Sequence, residues 1–143
     1  DFSDYSVRFD NLLTKRWPGE DRRREDLPSD MKRRLDAYFI DKDMSAFEGL
    51  ALETAGTAFQ DSVWNMLPNV PVGRTWTYGR LAAALNKPTA SRAVGRTNGL
   101  NPIAIVLPCH RVVGGNGKLT GYAGGLPRKQ WLLDHEGVLR AAA

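Results

Sequence analysis

One cysteine and one histidine are neighbours at Cys109 and His110, and together they could form an activated nucleophile. The thiolate is the nucleophilic form of cysteine, and an imidazole or other positive surroundings favour it. The chain has no second cysteine, which excludes an internal disulfide and fits a reducing compartment. A lone cysteine is more commonly a buried structural residue, and a lone histidine is more commonly structural as well. The position of the pair inside a basic stretch favours the nucleophilic interpretation.

The segment before the cysteine decides whether the pair can cooperate. Residues 103–107 form an apolar run, Ile-Ala-Ile-Val-Leu, which predicts a buried strand that stops at Pro108. Adjacent side chains of a strand point to opposite faces, so Cys109 and His110 would be separated if the strand continued. Cooperation therefore requires a turn, and Pro108 makes one plausible.

A carboxylate at Glu136 could complete such a site. Pro127 suits the first turn of a helix that is predicted to run to about Glu136, with Gly137 just past its end. Residues 131–133, Trp-Leu-Leu, are predicted to belong to the core. A carboxylate at a helix C-terminus is electrostatically unfavourable, because the helix dipole favours anions at the N-terminus. The misplaced charge of Glu136 indicates a functional role.

Two further helices precede this region. Ser29 is predicted to cap a helix that extends to about Phe39. Thr57 and Gln60 form a capping-box pair that predicts a helix ending near Pro68. Residues 40–56 are expected to connect the two helices, and the charge-dense residues 20–26 are expected to form an exposed loop. We therefore predict two domains, comprising residues 1–55 and 56–143.

A helix-turn-helix is predicted within residues 77–98. Thr77 can cap a short helix through Leu85, and a second short helix runs from about Ala90 to Asn98. The second helix has a small face that includes Ala90, Ser91 and Gly95, with charge from Arg92 and Arg96. Such a face permits close approach to a groove, although close packing of two helices explains it nearly as well. The two arginines favour DNA.

Charge is distributed very unevenly along the chain. The net charge is +4, but residues 1–50 carry −2 and residues 51–143 carry +6. Between Asp61 and Asp134 there is no acidic residue, and there are nine basic ones: Arg74, Arg80, Lys87, Arg92, Arg96, Arg111, Lys118, Arg128 and Lys129. An exposed face normally mixes both signs, so this stretch predicts a surface for a polyanion such as nucleic acid. A basic surface without a partner is the alternative.

Several other classes of protein are disfavoured. One cysteine and two histidines, His110 and His135, cannot supply the four ligands of a structural zinc site without carboxylates, so no metal is predicted. No P-loop or dinucleotide fingerprint is present in the glycine-rich residues 114–125, and no cofactor is predicted. No run of about 18 apolar residues and no signal-peptide pattern is present, so we expect no membrane association and an intracellular location.

Beyond these arguments, the chain resembles the O6-alkylguanine-DNA alkyltransferases. The string Leu-Pro-Cys-His-Arg-Val at 107–112 resembles their active-site signature. Further matches at the expected spacing are 90–95 (Ala-Ser-Arg-Ala-Val-Gly), Asn101-Pro102, 120–125 (Thr-Gly-Tyr-Ala-Gly-Gly) and 131–137 (Trp-Leu-Leu-Asp-His-Glu-Gly). The resemblance spans about residues 56–137. Residues 1–55 are only faintly similar to the latter part of the family's N-terminal domain, whose leading strands would lie upstream of Asp1, so a truncated chain is expected.

The resemblance implies a role for each chemical group. Cys109 would attack the alkyl carbon, His110 would take the thiol proton through a water, and Glu136 would orient that histidine. Asn101 would brace the turn beside the thiol, and Tyr78 would give a proton to the departing guanine and press on the target phosphate. An alkylated base is unreachable inside a duplex, so it would be flipped into a pocket. The thioether product cannot leave, so the protein would act once.

The resemblance also implies the binding surfaces and the fold. The residues expected to bind DNA, through the minor groove, are Tyr78, Ala90, Ser91, Arg92, Arg96 and Gly95, with Arg92 filling the gap left by the flipped base. The residues expected to line the pocket are Val112, Tyr122, Ala123 and Gly124. The expected fold is α/β with a mostly α C-terminal domain: a helix-turn-helix, winged-helix-like catalytic domain after a small, truncated N-terminal α/β lobe.

The implied partner is double-stranded DNA containing O6-alkylguanine, with O4-alkylthymine as a further substrate. A monomer is expected, in the cytoplasm with the nucleoid of a prokaryote or in the nucleus of a eukaryote. Three other classes of protein are alternatives. A non-catalytic relative would lack the thiol, a cysteine hydrolase would need an oxyanion site and turn over repeatedly, and a helix-turn-helix regulator would use no thiol.

Overall fold

Helices make up most of the computed structural model, which describes residues 6–19 and 26–138. The elements in chain order are α1 (Ser6–Arg16), α2 (Ser29–Phe39), α3 (Ala58–Met66), β1 (Trp76–Thr77), α4 (Tyr78–Ala84), α5 (Ser91–Gly99), β2 (Val112–Val113) and α6 (Leu126–His135). Single 3-10 turns lie at Leu67–Asn69, Pro88–Ala90 and Cys109–Arg111. The predicted fold class, mostly helical with a small strand component, is confirmed. The described residues before α3 contain no strand.

The predicted helix starts are correct where a side chain provides the cap. Thr57 Oγ1 accepts a hydrogen bond from the Gln60 backbone N–H, and Gln60 Oε1 accepts one from the Thr57 N–H, so the predicted capping box is present. Thr77 caps α4 in the same way by accepting from the Arg80 N–H at 3.1 Å. The expected cap at Ser29 is wrong, because Pro28 is the cap residue and no side chain bonds there.

The main core forms where α3, α4 and α5 pack around β2. Its fully buried side chains include Val63, Trp64, Leu81, Val94 and Val112, each contributing roughly 1.5–3 kcal/mol from burial. The indole N–H of Trp64 donates to the carbonyl of Thr97 at 2.9 Å, which ties α3 to the end of α5. This core fixes α4 and α5 as one unit.

A two-residue parallel ladder connects the predicted helix pair to the segment after the cysteine. Trp76 pairs with Val112 and Thr77 with Val113. Asn86 makes the tight turn after α4 in the left-handed conformation, with φ of 57°, which asparagine tolerates. The ladder places the start of α4, where Tyr78 lies, beside the residues that follow Cys109.

The predicted strand at residues 103–107 is wrong. The segment forms a compact loop with one isolated bridge between Ala104 and Leu107, and Ile105 has a φ of 76°. Its apolar side chains are covered by packing instead of by a sheet, since Ile105 contacts the cluster of Tyr38, Ala46 and Leu132. Apolar runs of this length do not distinguish a strand from a buried loop.

The N-terminal lobe packs on α6 and on the loop before Cys109. Tyr38 of α2 is 1% exposed, whereas Phe39 is partly exposed. Leu132 and Leu133 are buried as predicted, but the prediction for Trp131 is wrong: it is 50% exposed and stacks on His135 with ring centroids 4.8 Å apart. A ring that stacks on a neighbour of its own helix need not enter the core.

The first 28 residues differ from the sequence predictions in one respect, and part of them is not described by the structure. Helix α1 was not predicted, and its Arg16 guanidinium lies over the Trp64 ring at 4.5 Å from the centroid. Residues 20–25 of the predicted exposed loop lie outside the described residues, and Asp26 is exposed.

Candidate active site

Cys109 begins a single 3-10 turn immediately after Pro108, so the predicted turn is present. Its backbone N–H donates to the carbonyl of Leu107 at 2.7 Å, and its carbonyl accepts from Asn98 Nδ2 at 3.2 Å. The residue is 4% exposed and lines a small, partly enclosed cavity of about 10 Å³, a space for about one water molecule. Cys109 therefore borders a small chamber.

His110 and Glu136, which the family resemblance pairs, meet in the buried interior. His110 Nε2 lies 2.8 Å from Glu136 Oε1, and both side chains are inaccessible to solvent. Arg111 adds two further bonds to the same carboxylate, from Nε to Oε2 at 2.7 Å and from Nη2 to Oε1 at 3.0 Å. Tyr38 Oη donates to Oε1 at 2.7 Å. Glu136 thus lies just beyond the end of α6 because four donor atoms from three side chains bind it there.

The charges in this network point to a neutral histidine beside an ionised carboxylate. Burial opposes ionisation of Glu136, but hydrogen bonds and charge from His110 and Arg111 hold its pKa at about 2. Burial lowers the pKa of His110 below its usual range, and this outweighs the hydrogen bond from Nε2 to Glu136. A neutral imidazole that donates from Nε2 keeps its lone pair on Nδ1. Among the described residues, Nδ1 has no hydrogen-bond partner.

Asn101 holds the loop that leads into the cysteine. Its Nδ2 donates to the carbonyl of Leu107 at 2.7 Å, and its Oδ1 accepts from the Ile103 N–H at 2.9 Å. Both bonds close the loop on itself two residues before Cys109. These two bonds suit the bracing role of Asn101, which stays a prediction.

Lys129 is a buried cation close to the thiol. Its side chain is fully buried, and Nζ donates to the carbonyl of Val112 at 2.7 Å and to that of Thr120 at 3.0 Å. Burial lowers the pKa of Lys129 to about 8, and the negative charge of an ionised Cys109 acts in the opposite direction. The carbonyl of Thr120 also accepts from Tyr78 Oη at 3.3 Å. Lys129 therefore ties the walls of the chamber together and supplies positive charge near Cys109.

An open groove of about 700 Å³ adjoins the thiol cavity. The two spaces share four lining residues: Gly99, Gly121, Tyr122 and Ala123. Side chains of Tyr78, Ser91, Arg92 and Arg96 line the groove. A Cβ added at Gly95 would lie 3.4 Å from the Tyr78 ring, so the small residue lets α5 approach that ring closely. A ligand bound in the groove would contact these four shared residues and would therefore lie next to the thiol cavity.

The remaining predicted site residues do not all reach these spaces. Gly124 lines the thiol cavity, as expected for a pocket residue. Val112 is fully buried in the core and lines neither space. Ala90 packs partly buried against the same core instead of lining the groove.

The predicted basic surface needs a correction at two positions. Arg92 and Arg96 are exposed on α5, where phosphate could reach them. Arg111 and Lys129 are buried and bound to internal acceptors, so they cannot contribute to a surface for a polyanion. A count of charges along the sequence cannot separate the two groups, because burial depends on the fold.

Four site residues were not singled out from the sequence: Tyr38, Asn98, Arg111 and Lys129. Arg111 follows His110 directly, and a cation next to a predicted base was a signal that could have been weighed. Lys129 lies in the first turn of the helix predicted to begin at Pro127 and carried no such signal. Tyr38 falls within the helix predicted from Ser29 to about Phe39, and nothing in the sequence relates residue 38 to residue 136.

Within residues 6–19 and 26–138, no helix is long and apolar enough to cross a membrane. In the same part of the chain, no cluster of three or more His, Cys, Asp or Glu side chains is arranged to hold a metal ion.

The sequence of this chain matches a known protein family and several curated relatives. Residues 58–138 match the family described as 6-O-methylguanine DNA methyltransferase, DNA binding domain. Over 141 residues the chain is 46% identical to the methylated-DNA–protein-cysteine methyltransferase of Salmonella typhimurium, which covers 97% of this chain and 82% of the relative.

Solved structures show the same likeness. The O6-methylguanine-DNA methyltransferase of the hyperthermophilic archaeon Pyrococcus kodakaraensis matches with a TM-score of 0.75 at 36% identity, covering 94% of this chain and 78% of that one. The Mycobacterium tuberculosis OGT in complex with DNA matches with a TM-score of 0.66 at 46% identity, covering 76% of this chain and 65% of that one.

Proposed function

The chain belongs to the methylated-DNA–protein-cysteine methyltransferase family, and from this premise we propose that it repairs O6-alkylguanine in DNA by moving the alkyl group to Cys109. The observation that carries the proposal is the arrangement around the thiol. A neutral His110 donates from Nε2 to an ionised Glu136 and keeps a basic Nδ1, next in sequence to a cysteine in a chamber beside an arginine-lined groove.

The proposed reaction is a single displacement. The thiol proton passes through a water to His110 Nδ1, and Cys109 Sγ attacks the alkyl carbon as its bond to the guanine oxygen breaks. The bond electrons leave with guanine, which takes up one proton from Tyr78. Tyr78 regains a proton from water and His110 releases the thiol proton to water, so the net products are guanine and an S-alkyl cysteine. Glu136 stabilises the proton on His110, as the carboxylate does in a catalytic triad. Lys129 provides a positive charge near the developing thiolate.

The product cannot be recycled by this chain. A thioether is a very poor leaving group, and there is no second cysteine to accept the alkyl group. The protein is therefore a stoichiometric reagent and acts once.

DNA binding is proposed to use the groove and α5. One relative, the Mycobacterium tuberculosis OGT, has been solved in complex with DNA, and the exposed Arg92 and Arg96 suit phosphate contacts. We propose minor-groove docking with the small face of α5 against the backbone, and Arg92 occupying the place of the flipped base. The shared wall at Tyr122 and Ala123 then receives the base, and Asn101 keeps the cysteine turn in place behind it.

The finer features of the proposal follow from the same assignment. O4-alkylthymine presents a similar alkyl–oxygen bond and is proposed as a second substrate. One copy of the chain carries the thiol, the base and the groove, so the protein is proposed to act as a monomer. A DNA substrate implies a location with the chromosome, in the cytoplasm and nucleoid of a prokaryote or in the nucleus of a eukaryote.

Transfer of a radiolabelled methyl group from duplex DNA tests the proposal. We expect one label per protein molecule, located at Cys109 by peptide mapping, and a Cys109→Ala variant that binds the DNA but takes no label. Label released to water, or several turnovers per molecule, would instead identify a hydrolase.

A further inference from the structure

We propose that Tyr38, a residue of the N-terminal lobe, is a positioning residue for the reaction of Cys109, because its phenol governs how strongly Glu136 draws on the proton of His110. This inference rests on the proposed function, since it concerns the same thiol chemistry. It assigns a chemical role to α2, outside the segment of residues 58–138 that matches the DNA-binding domain of the family.

One carboxylate oxygen of Glu136, Oε1, lies within hydrogen-bond distance of three donors. Glu136 Oε1 accepts from Tyr38 Oη at 2.7 Å, lies 2.8 Å from His110 Nε2, and accepts from Arg111 Nη2 at 3.0 Å. Oε2 accepts only from Arg111 Nε in the described structure. Each carboxylate oxygen offers about two lone-pair directions, so three donors compete for Oε1. Removing one donor leaves more negative charge for the other two.

The position of the Tyr38 ring is fixed independently of its hydroxyl. The ring lies 5.0 Å from Phe39, 5.3 Å from Phe47 and 5.1 Å from His135, measured between centroids. The backbone carbonyl of Tyr38 lies 2.8 Å from His135 Nε2. A phenylalanine at this position would keep these contacts, so the hydroxyl can be removed alone.

The phenol is a permanent donor under ordinary conditions. Burial first, and then the charge and hydrogen bond of Glu136, raise the pKa of Tyr38 far above its usual range. It therefore stays protonated at any pH where the protein is used. Its effect on the network is to compete with His110 for Oε1 and so to limit how tightly a proton is held on the imidazole.

Other charged groups act on this network and remain in place when the hydroxyl is removed. The charges of Arg111 and Lys129 lower the pKa of His110, and Tyr122 adds a small contribution to the raised pKa of Tyr38. The titratable and charged groups that face the network are Cys109, Arg111, Tyr122, Lys129 and His135. None of them belongs to α2. Tyr38→Phe therefore leaves them all in place, removes one hydrogen bond to Glu136 and changes no net charge.

The test is the rate of a single methyl transfer to the full chain, measured against pH, for wild type and Tyr38→Phe. Without the phenol, Glu136 binds the His110 proton more tightly, and the neutral imidazole needed as a base appears only at higher pH. We expect the acid limb of the profile to move up on the order of one pH unit, the size associated with one hydrogen bond to a charged group. DNA affinity should be unchanged.

Phe39→Leu is the matched control. It lies on the same helix and its ring contacts the same aromatic cluster, but it makes no bond to Glu136. Its profile should coincide with that of wild type even if its melting temperature falls. If Tyr38→Phe also melts lower with an unshifted profile, Tyr38 is only an interlobe clamp and the inference is wrong.

A second substitution covers the case in which Tyr38→Phe folds poorly. Incorporation of 3-fluorotyrosine at residue 38 keeps the ring and makes the hydroxyl a stronger donor, so the acid limb should move to lower pH. A shift in the same direction as Tyr38→Phe, or none, would overturn the inference. Failure of wild type to take label would instead remove the proposed function itself, which separates the two outcomes.

Discussion

Replacing Glu136 by Gln should reduce both the stability of the protein and the rate of transfer. The amide is neutral, and its NH₂ group would face donors at a site where Tyr38, His110 and Arg111 all need an acceptor. Breaking a buried ion pair from one side costs roughly 3–5 kcal/mol, because it leaves an unpaired buried charge. The pKa of Glu136 is lowered from its ordinary value of 4.5 to about 2, which gives an independent figure of about 3 kcal/mol.

The pH dependence of stability follows from the same shift. The folded-state pKa of Glu136 lies below its unfolded value, so its contribution is fully present above about pH 4.5 and is lost as pH falls towards 2. Thermal unfolding of wild type and Glu136→Gln should therefore differ on the order of 10 °C at pH 7, and the difference should shrink below about pH 4.5 and close only as pH falls to about 2. Asp134→Asn removes an exposed carboxylate at the same helix end, which among the described residues accepts from Gln130, and should behave as wild type. A constant difference between Glu136→Gln and wild type across this pH range would refute the assignment.

The rate gives a second, separate readout. Positioned general-base assistance raises a rate roughly 10²–10⁴-fold. We expect the transfer rate of Glu136→Gln, measured well below the melting temperature of the variant, to be about 10- to 100-fold lower than that of wild type. DNA affinity should be retained because Glu136 is buried away from the groove. An unchanged rate per folded molecule would leave Glu136 with a structural role only.

Three further predictions concern the base, the groove and the buried lysine. His110→Ala should slow transfer at least as much as Glu136→Gln, and its rate should recover partly as pH approaches the ordinary thiol pKa of about 8.5. A plot of single-turnover rate against pH that is the same for His110→Ala and wild type would remove His110 from the mechanism. Arg92→Ala should lower the salt dependence of DNA binding by about one unit of slope and harm repair of duplex more than reaction with the free alkylated base; equal losses on both substrates would exclude a role in base flipping. Lys129→Met should leave that salt slope unchanged, since Lys129 is fully buried, while lowering the unfolding free energy by about 1–3 kcal/mol in denaturant titrations because two carbonyls lose a donor; a reduced slope would mean that Lys129 reaches DNA.

Local chemistry was predictable from the sequence where a short pattern carries the whole physical cause. The capping box of Thr57 needs only a partner three residues later, and the turn at Pro108 needs only the ring of proline. Leu132 and Leu133 are buried as their apolar side chains predict, whereas Trp131 is not, because its ring stacks on His135.

Contacts between distant segments were beyond such patterns. The loop at 103–107 and a strand would have the same apolar sequence, and only the packing of Ile105 on the lobe distinguishes them. Arg111 and Lys129 were assigned to a surface because charge is visible in a sequence and burial is not. The joining of Tyr38 to Glu136 spans 98 positions and requires the fold itself.

The hydrogen bond between Tyr38 and Glu136 also bears on how far the protein can be divided into modules. A fragment begun at residue 58 would keep the thiol, the imidazole, the carboxylate and the groove, and it would match the family segment in full. It would nevertheless expose Leu132 and the Glu136 carboxylate on the side that the lobe covers, and solvent would replace the phenol as the third donor. The segment that matches the family in sequence and the segment that the chemistry requires therefore begin at different residues. Designers who graft this alkyl-accepting segment onto other scaffolds should transplant a tyrosine along with it.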